Sequence, residues 1–142
     1  MKYIFTMILC ALFLCCQTYK SGNSNNDIHN DYKEIYNDAL RKYNSGLIEE
    51  AKDTLDRAIR INSKYTNAYI LRALVYDQIL QYDNAIVDLK KAIELEPDNY
   101  LAYYDLGNAF ILNGDLEEAI TSFTGSSRNR VGKFLRIIGL AT

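Results

Sequence analysis

Few side chains in this sequence have the type and spacing that chemistry needs. Glu49 with Glu50, and Glu117 with Glu118, are adjacent carboxylates of the kind used in general acid–base catalysis. Consecutive residues on a helix do not face each other, so neither pair can share a proton across a substrate. Both pairs fall near expected helix starts, where negative charge is favoured. Tyr36, Tyr69, Tyr76, Tyr103 and Tyr104 would make a stacking or catalytic set, but their helical spacing fits packing in a core and groove. His29 is the only histidine, and a zinc site needs several converging ligands. The cysteines are Cys10, Cys15 and Cys16, so the remainder has no disulfide framework and no cysteine-based metal site. These residues point to a protein that is not an enzyme and uses no metal or other cofactor.

The elements around those residues are more informative. A length of 142 residues suggests one domain plus extras, and 49% apolar residues make a core feasible. A formal net charge of −2 gives no overall signature of nucleic-acid binding. Pro97 is the only proline, which suits a mostly helical chain because proline breaks helix interiors.

The first residues read MKYIFTMILCALFLCCQ, with Lys2 ahead of an uncharged run from Tyr3 to Cys16. That run is too short for a hydrocarbon core, which needs about 20 residues. It fits the apolar region of a secretory signal. It ends in cysteine, and so resembles a bacterial lipoprotein signal. In that family the signal is cut before a cysteine that then carries lipid. Cys16 fits better than Cys15, because Leu14 is too large for the small position before Cys15. The resemblance implies a signal peptide over 1–16, lipidation of Cys16 (or Cys15), and a lipid-anchored protein on a membrane of the bacterial cell envelope, on its periplasmic or surface side. The alternative is an ordinary cleaved signal. The polar segment QTYKSGNSNND follows and predicts a flexible tether over 17–30.

From there the chain repeats itself. Ala51, Ala85 and Ala119 are spaced 85 − 51 = 34 and 119 − 85 = 34. Leu55, Leu89 and Phe123 keep that register, as do Ala58 with Ala92, and Ala39, Ala73 with Gly107. Such a period indicates stacked helical hairpins, each burying its apolar face on its neighbours. Apolar spacing predicts helices over 32–44, 48–61, 67–80, 84–95, 100–112 and 116–124. Asp31 with Glu34, and Asp115 with Glu118, have capping-box spacing. Gly46 and Gly114 can end helices in the left-handed conformation.

These positions resemble the tetratricopeptide repeat family over 31–124. The departures are Leu80 for the turn glycine, Ser63 for the usual proline and Lys42 for an aromatic residue. The resemblance implies an all-α fold, an α-solenoid of about three hairpins over 32–65, 66–99 and 100–133, the last incomplete. It also implies a non-catalytic scaffold whose first helices line a concave groove for a protein or peptide partner. Carried over, the groove positions are Lys33, Tyr36, Leu40 and Tyr43; then Asn67, Ile70, Leu74 and Asp77; then Leu101, Tyr104, Asn108 and Ile111. Chaperone-binding members hold a terminal carboxylate with Lys and Asn at two of these places, where this chain has Tyr36 and Leu40. That clamp is absent.

After Phe123 the register weakens. Ser126 and Ser127 stand where Ala and Ile stood before, and Gly125 and Gly132 disfavour a helix by about 1 kcal/mol each. Residues 125–142 therefore read as an atypical basic tail, carrying Arg128, Arg130, Lys133 and Arg136, or as a capping helix through Val131, Phe134, Leu135 and Ile138. Contact with anionic lipid, or truncation of a longer array, are the other readings. The alternative function is a structural module, or a fragment of a larger repeat protein, that self-associates end to end through this weak last hairpin.

Overall fold

The order of elements in the computed structural model, which describes residues 24–137, is six helices and no strand among the described residues. They are α1 Ser24–Asn44, α2 Ile48–Ile61, α3 Thr66–Gln78, α4 Tyr82–Leu95, α5 Tyr100–Asn113 and α6 Leu116–Ile137. From Tyr32 onward they form one unit of three antiparallel hairpins. Cys10, Cys15 and Cys16, and the whole expected signal peptide, lie outside the described residues. No described helix is long and apolar enough to cross a membrane.

The hairpin turns show why the repeat is in register. At each, a backbone N–H reaches the carbonyl five residues back: Leu47 to Lys42 at 2.9 Å, Gln81 to Tyr76 at 2.9 Å, Asp115 to Phe110 at 2.8 Å. That closure requires a left-handed residue just before the donor. Gly46 and Gly114 supply it at φ +76° and +93°. Leu80 supplies it at φ +59°, a conformation that strains an L side chain. Lys42, at an aromatic position of the repeat, donates instead to Thr54 Oγ1 at 3.0 Å and pairs with Asp38 at 3.2 Å.

The small residues are the points of closest helix approach. Ala39, Ala73, Ala51, Ala85, Ala58 and Ala92 are all fully buried. Large partners fill the space between them. Ile35, Leu55, Leu71 and Val75 form the core of the first two hairpins, while Ile86, Leu89, Leu106 and Phe110 form that of the last two. Each second helix packs on the next hairpin as well as its own: α2 meets α3, and α4 meets α5. Burial is therefore shared between neighbours, as a stack requires.

Three local expectations differ from the structure. First, α1 begins at Ser24, within the segment read as a tether. Once the packed turns at Tyr32 and Ile35 nucleate a helix, extending it backward costs little. Asp31 is thus inside a helix and caps nothing. Second, the Asp115 carboxylate accepts from the Asn113 amide at 2.8 Å rather than capping α6. A side-chain cap does form at Asn99, whose Oδ1 accepts from the Ala102 N–H at 3.3 Å. Third, α6 does not stop at Thr124 but continues to Ile137. Gly125 is buried under Tyr103: a Cβ there would lie 2.8 Å from the ring. Ser126 is buried too, and its hydroxyl donates to the Tyr100 carbonyl at 2.9 Å. These small residues let α6 lie close on α5, and that packing outweighs their poor helix propensity.

Candidate binding groove

The sides of α3 and α5 that meet α2, α4 and α6 are filled. Their other sides, with that of α1, carry the groove positions. Tyr36, Leu40 and Tyr43 are half-buried on α1, packed against the first core, with Lys33 exposed. On α3, Asn67 is exposed, while Ile70, Leu74 and Asp77 are half-buried. On α5, Leu101, Tyr104 and Ile111 are exposed and Asn108 is half-buried. Apolar side chains thus recur along one face, held from beneath. Tyr36 packs edge-on against Tyr65, with ring centroids 5.2 Å apart, and Tyr104 packs against Phe123 at 5.7 Å. Rings fixed in this way lose little freedom when a ligand lands on them.

Charge is distributed unevenly around this face. Beneath it, one cation serves a structural network. Arg72 on α3 holds Asp88 through two hydrogen bonds of 2.7 Å, Nε to Oδ2 and Nη2 to Oδ1. Its remaining Nη1 donates to Asp56 at 2.6 Å, so one guanidinium ties α2, α3 and α4. Its face lies 5.6 Å from the Tyr69 ring centroid. Burial raises the Asp88 carboxyl above the usual range, and Arg72 pulls it back. In the groove itself the situation is reversed. Asp77 is raised by burial alone, and its Oδ1 is buried with no hydrogen-bond partner. Asp105, on α5, is pushed up to about 6, by burial first and then by the negative charge of Asp77.

Neither Asp105 nor the Arg72 pair emerged from the repeat pattern. The pattern selects positions that stay alike, whereas these depart from it. A signal was available in the departures: 105 − 34 = 71 and 72 + 34 = 106 set Asp105 against Leu71 and Arg72 against Leu106.

Comparison with known proteins agrees with the geometry. Residues 81–114 match the TPR repeat family. A UDP-N-acetylglucosamine–peptide N-acetylglucosaminyltransferase of Giardia intestinalis is 37% identical over 68 residues, 43% of this chain and 5% of that protein. The Bacteriophage adsorption protein A of Escherichia coli is 37% identical over 79 residues, 56% of this chain and 8% of that protein. The chain therefore spans less than a tenth of either relative. Among solved structures, MamA superposes with a TM-score of 0.69 at 29% identity, covering 72% of this chain and 60% of its own. The second TPR domain of Spaghetti (RPAP3), bound to the HSP90 peptide SRMEEVD, superposes at 0.65 with 24% identity, covering 67% and 88%. With a 34-residue register, three hairpins closed by one turn geometry, and these matches, residues 81–114 carry a TPR repeat and the described residues fold as a solenoid of TPR-like helical hairpins.

Proposed function

We propose that the chain is a non-catalytic scaffold that holds a protein or peptide segment on the face made by α1, α3 and α5. The observation behind this is the set of half-buried or exposed apolar side chains on one face of three hairpins: Tyr36, Ile70 and Tyr104 in one 34-residue register, with Leu74, Leu101 and Ile111 beside them. Large, well-supported apolar groups make effective anchors for a peptide. The Spaghetti domain holds its peptide on the same kind of scaffold. The test is to pan a random peptide library on the folded chain. Binders should lose at least tenfold in affinity on Tyr36→Ala/Tyr104→Ala and nothing on Val87→Ala, an exposed site on α4. Equal affinity for all three proteins would refute the groove.

A second reading has its own support. Ile86 is 6% exposed because the third hairpin covers it, whereas Ile120, one period later, is 67% exposed. End-to-end association through α6 would cover Ile120 and Leu116. Sedimentation of the chain and of Ile120→Glu measures this; identical monomers at every concentration would exclude it.

The sequence of the first residues further supports anchoring to a membrane of the bacterial envelope through Cys16 or Cys15. Detergent partitioning of the whole chain and of Cys15→Ser/Cys16→Ser is the test. Retention of both in the aqueous phase would rule the anchor out.

A further inference from the structure

The apolar character of the groove is interrupted at one seam. Between the first and second hairpins, Tyr43 of α1 and Leu71 of α3 belong to one apolar cluster. One period later, 43 + 34 = 77 and 71 + 34 = 105, so the corresponding seam between α3 and α5 carries Asp77 and Asp105. An apolar pair has been replaced by two carboxylates in a half-buried place. Neither has an ion-pair partner among the described residues, and Oδ1 of Asp77 is buried without any hydrogen bond. The contrast with Asp88 is sharp. That carboxylate is more deeply buried, but the fold aims Nε and Nη2 of an arginine at it. Buried acceptors are normally satisfied, and an exception calls for an explanation. Asp77 shares its side of α3 with Ile70 and Leu74, which places its carboxylate on the groove face.

We propose that the groove selects a peptide segment carrying a lysine or arginine, whose cationic head lodges between Asp77 and Asp105 while its apolar neighbours pack on Leu74 and Ile111. This rests on the groove reading above and adds the charge of the ligand. A cation shared by two carboxylates that otherwise repel each other relieves that repulsion on binding. Lysine and arginine are the side chains that bring such a head on an apolar stem. A segment with an acidic side chain at that place is disfavoured by the same field.

The experiment pans a random 12-residue peptide library on the wild-type chain, on Asp77→Asn/Asp105→Asn, and on Tyr36→Ala/Tyr104→Ala, with a chelator present throughout. Wild-type binders should be enriched in Lys or Arg at one fixed place. They should lose about tenfold or more in affinity on the Asn pair and weaken as salt rises. The Asn variant should unfold no earlier than wild type, whereas carboxylates with a structural role would make it unfold sooner. Binders that depend on Tyr36 and Tyr104 but show no basic enrichment, or bind the Asn pair equally, overturn this proposal and leave the groove reading intact. No binder that depends on Tyr36 and Tyr104 overturns both. Calorimetry with calcium alone covers the remaining occupant: saturable binding that the Asn pair abolishes would reassign the two carboxylates to a metal.

Discussion

Arg72 offers the sharpest test of the packing scheme, because the repeat supplies its own control. Arg72 and Asp88 fall in register with Leu106 and Ser122, since 72 + 34 = 106 and 88 + 34 = 122. The third hairpin therefore solves with an apolar residue and a hydroxyl what the second solves with an ion pair. Leu106 is buried in the last core, and the Ser122 hydroxyl is satisfied by the Glu118 carbonyl at 2.9 Å. Replacing Arg72 alone by Leu strands Asp88, a residue only 4% exposed that has lost two 2.7 Å bonds. Breaking a buried pair from one side costs about 3–5 kcal/mol. Asp56 is more exposed and resolvates, so it adds little. The lower half of that range, about 3 kcal/mol, is expected for Arg72→Leu at neutral pH. Asp88→Ser leaves the guanidinium with Asp56 and costs less, about 1–2 kcal/mol. The double variant Arg72→Leu/Asp88→Ser transplants the third hairpin's solution and should recover at least about 1.5 kcal/mol over Arg72→Leu. Urea denaturation of the four proteins measures this as a double-mutant cycle. If the double variant is no more stable than Arg72→Leu, the two side chains are not coupled, and Arg72 matters only through its packing on Tyr69.

Three other outcomes follow from named contacts. Leu80→Gly should stabilise the chain by about 1 kcal/mol by removing a left-handed leucine that is 71% exposed, read as a higher urea midpoint. Gly132→Ala, with open space around it, should gain up to about 1 kcal/mol of helix stability, whereas Gly125→Ala should lose stability because its Cβ meets Tyr103; equal gains would mean that α6 does not lie closely on α5. Asp105 has a folded pKa of about 6 against 3.8, so its part of the stability is fully present below pH 3.8 and lost as pH rises through about 6. The full shift would be about 3 kcal/mol, reduced to about 1 kcal/mol because the group is partly solvated. Relative to wild type, Asp105→Asn should thus become more stabilising between about pH 4 and pH 7 in urea titrations; a constant difference would refute it.

How much of this was legible depends on whether a residue obeys the repeat or breaks it. The hairpins, their order and the faces of α2 to α5 follow from small and large residues at a fixed period. Helix ends inside the array came within two residues, because the turns at Gly46 and Gly114 announce themselves. The end of α6 did not. Read alone, Gly125 is a poor helix former, and Ser126 and Ser127 are polar residues in apolar places. Only the partner helix shows that the space at 125 is filled by the Tyr103 ring and that Ser126 has the Tyr100 carbonyl to bond. Pairwise complementarity of that kind leaves no one-dimensional period.

The same reasoning separates the two carboxylate sites of the second hairpin. Asp88 and Asp77 lie on adjoining helices, both shielded from water and both raised by that shielding. For Asp88 the fold returns the desolvation cost through Arg72, and the product is a rigid joint between three helices. For Asp77 no described residue does so, although an apolar residue would fit the seam as Tyr43 and Leu71 do one period earlier. A carboxylate kept where an apolar side chain would stabilise the stack more is accounted for by a contact made outside the fold. The groove face is where such a contact is open, so stability given up at this seam and selectivity for a cationic side chain are two readings of one pair of residues.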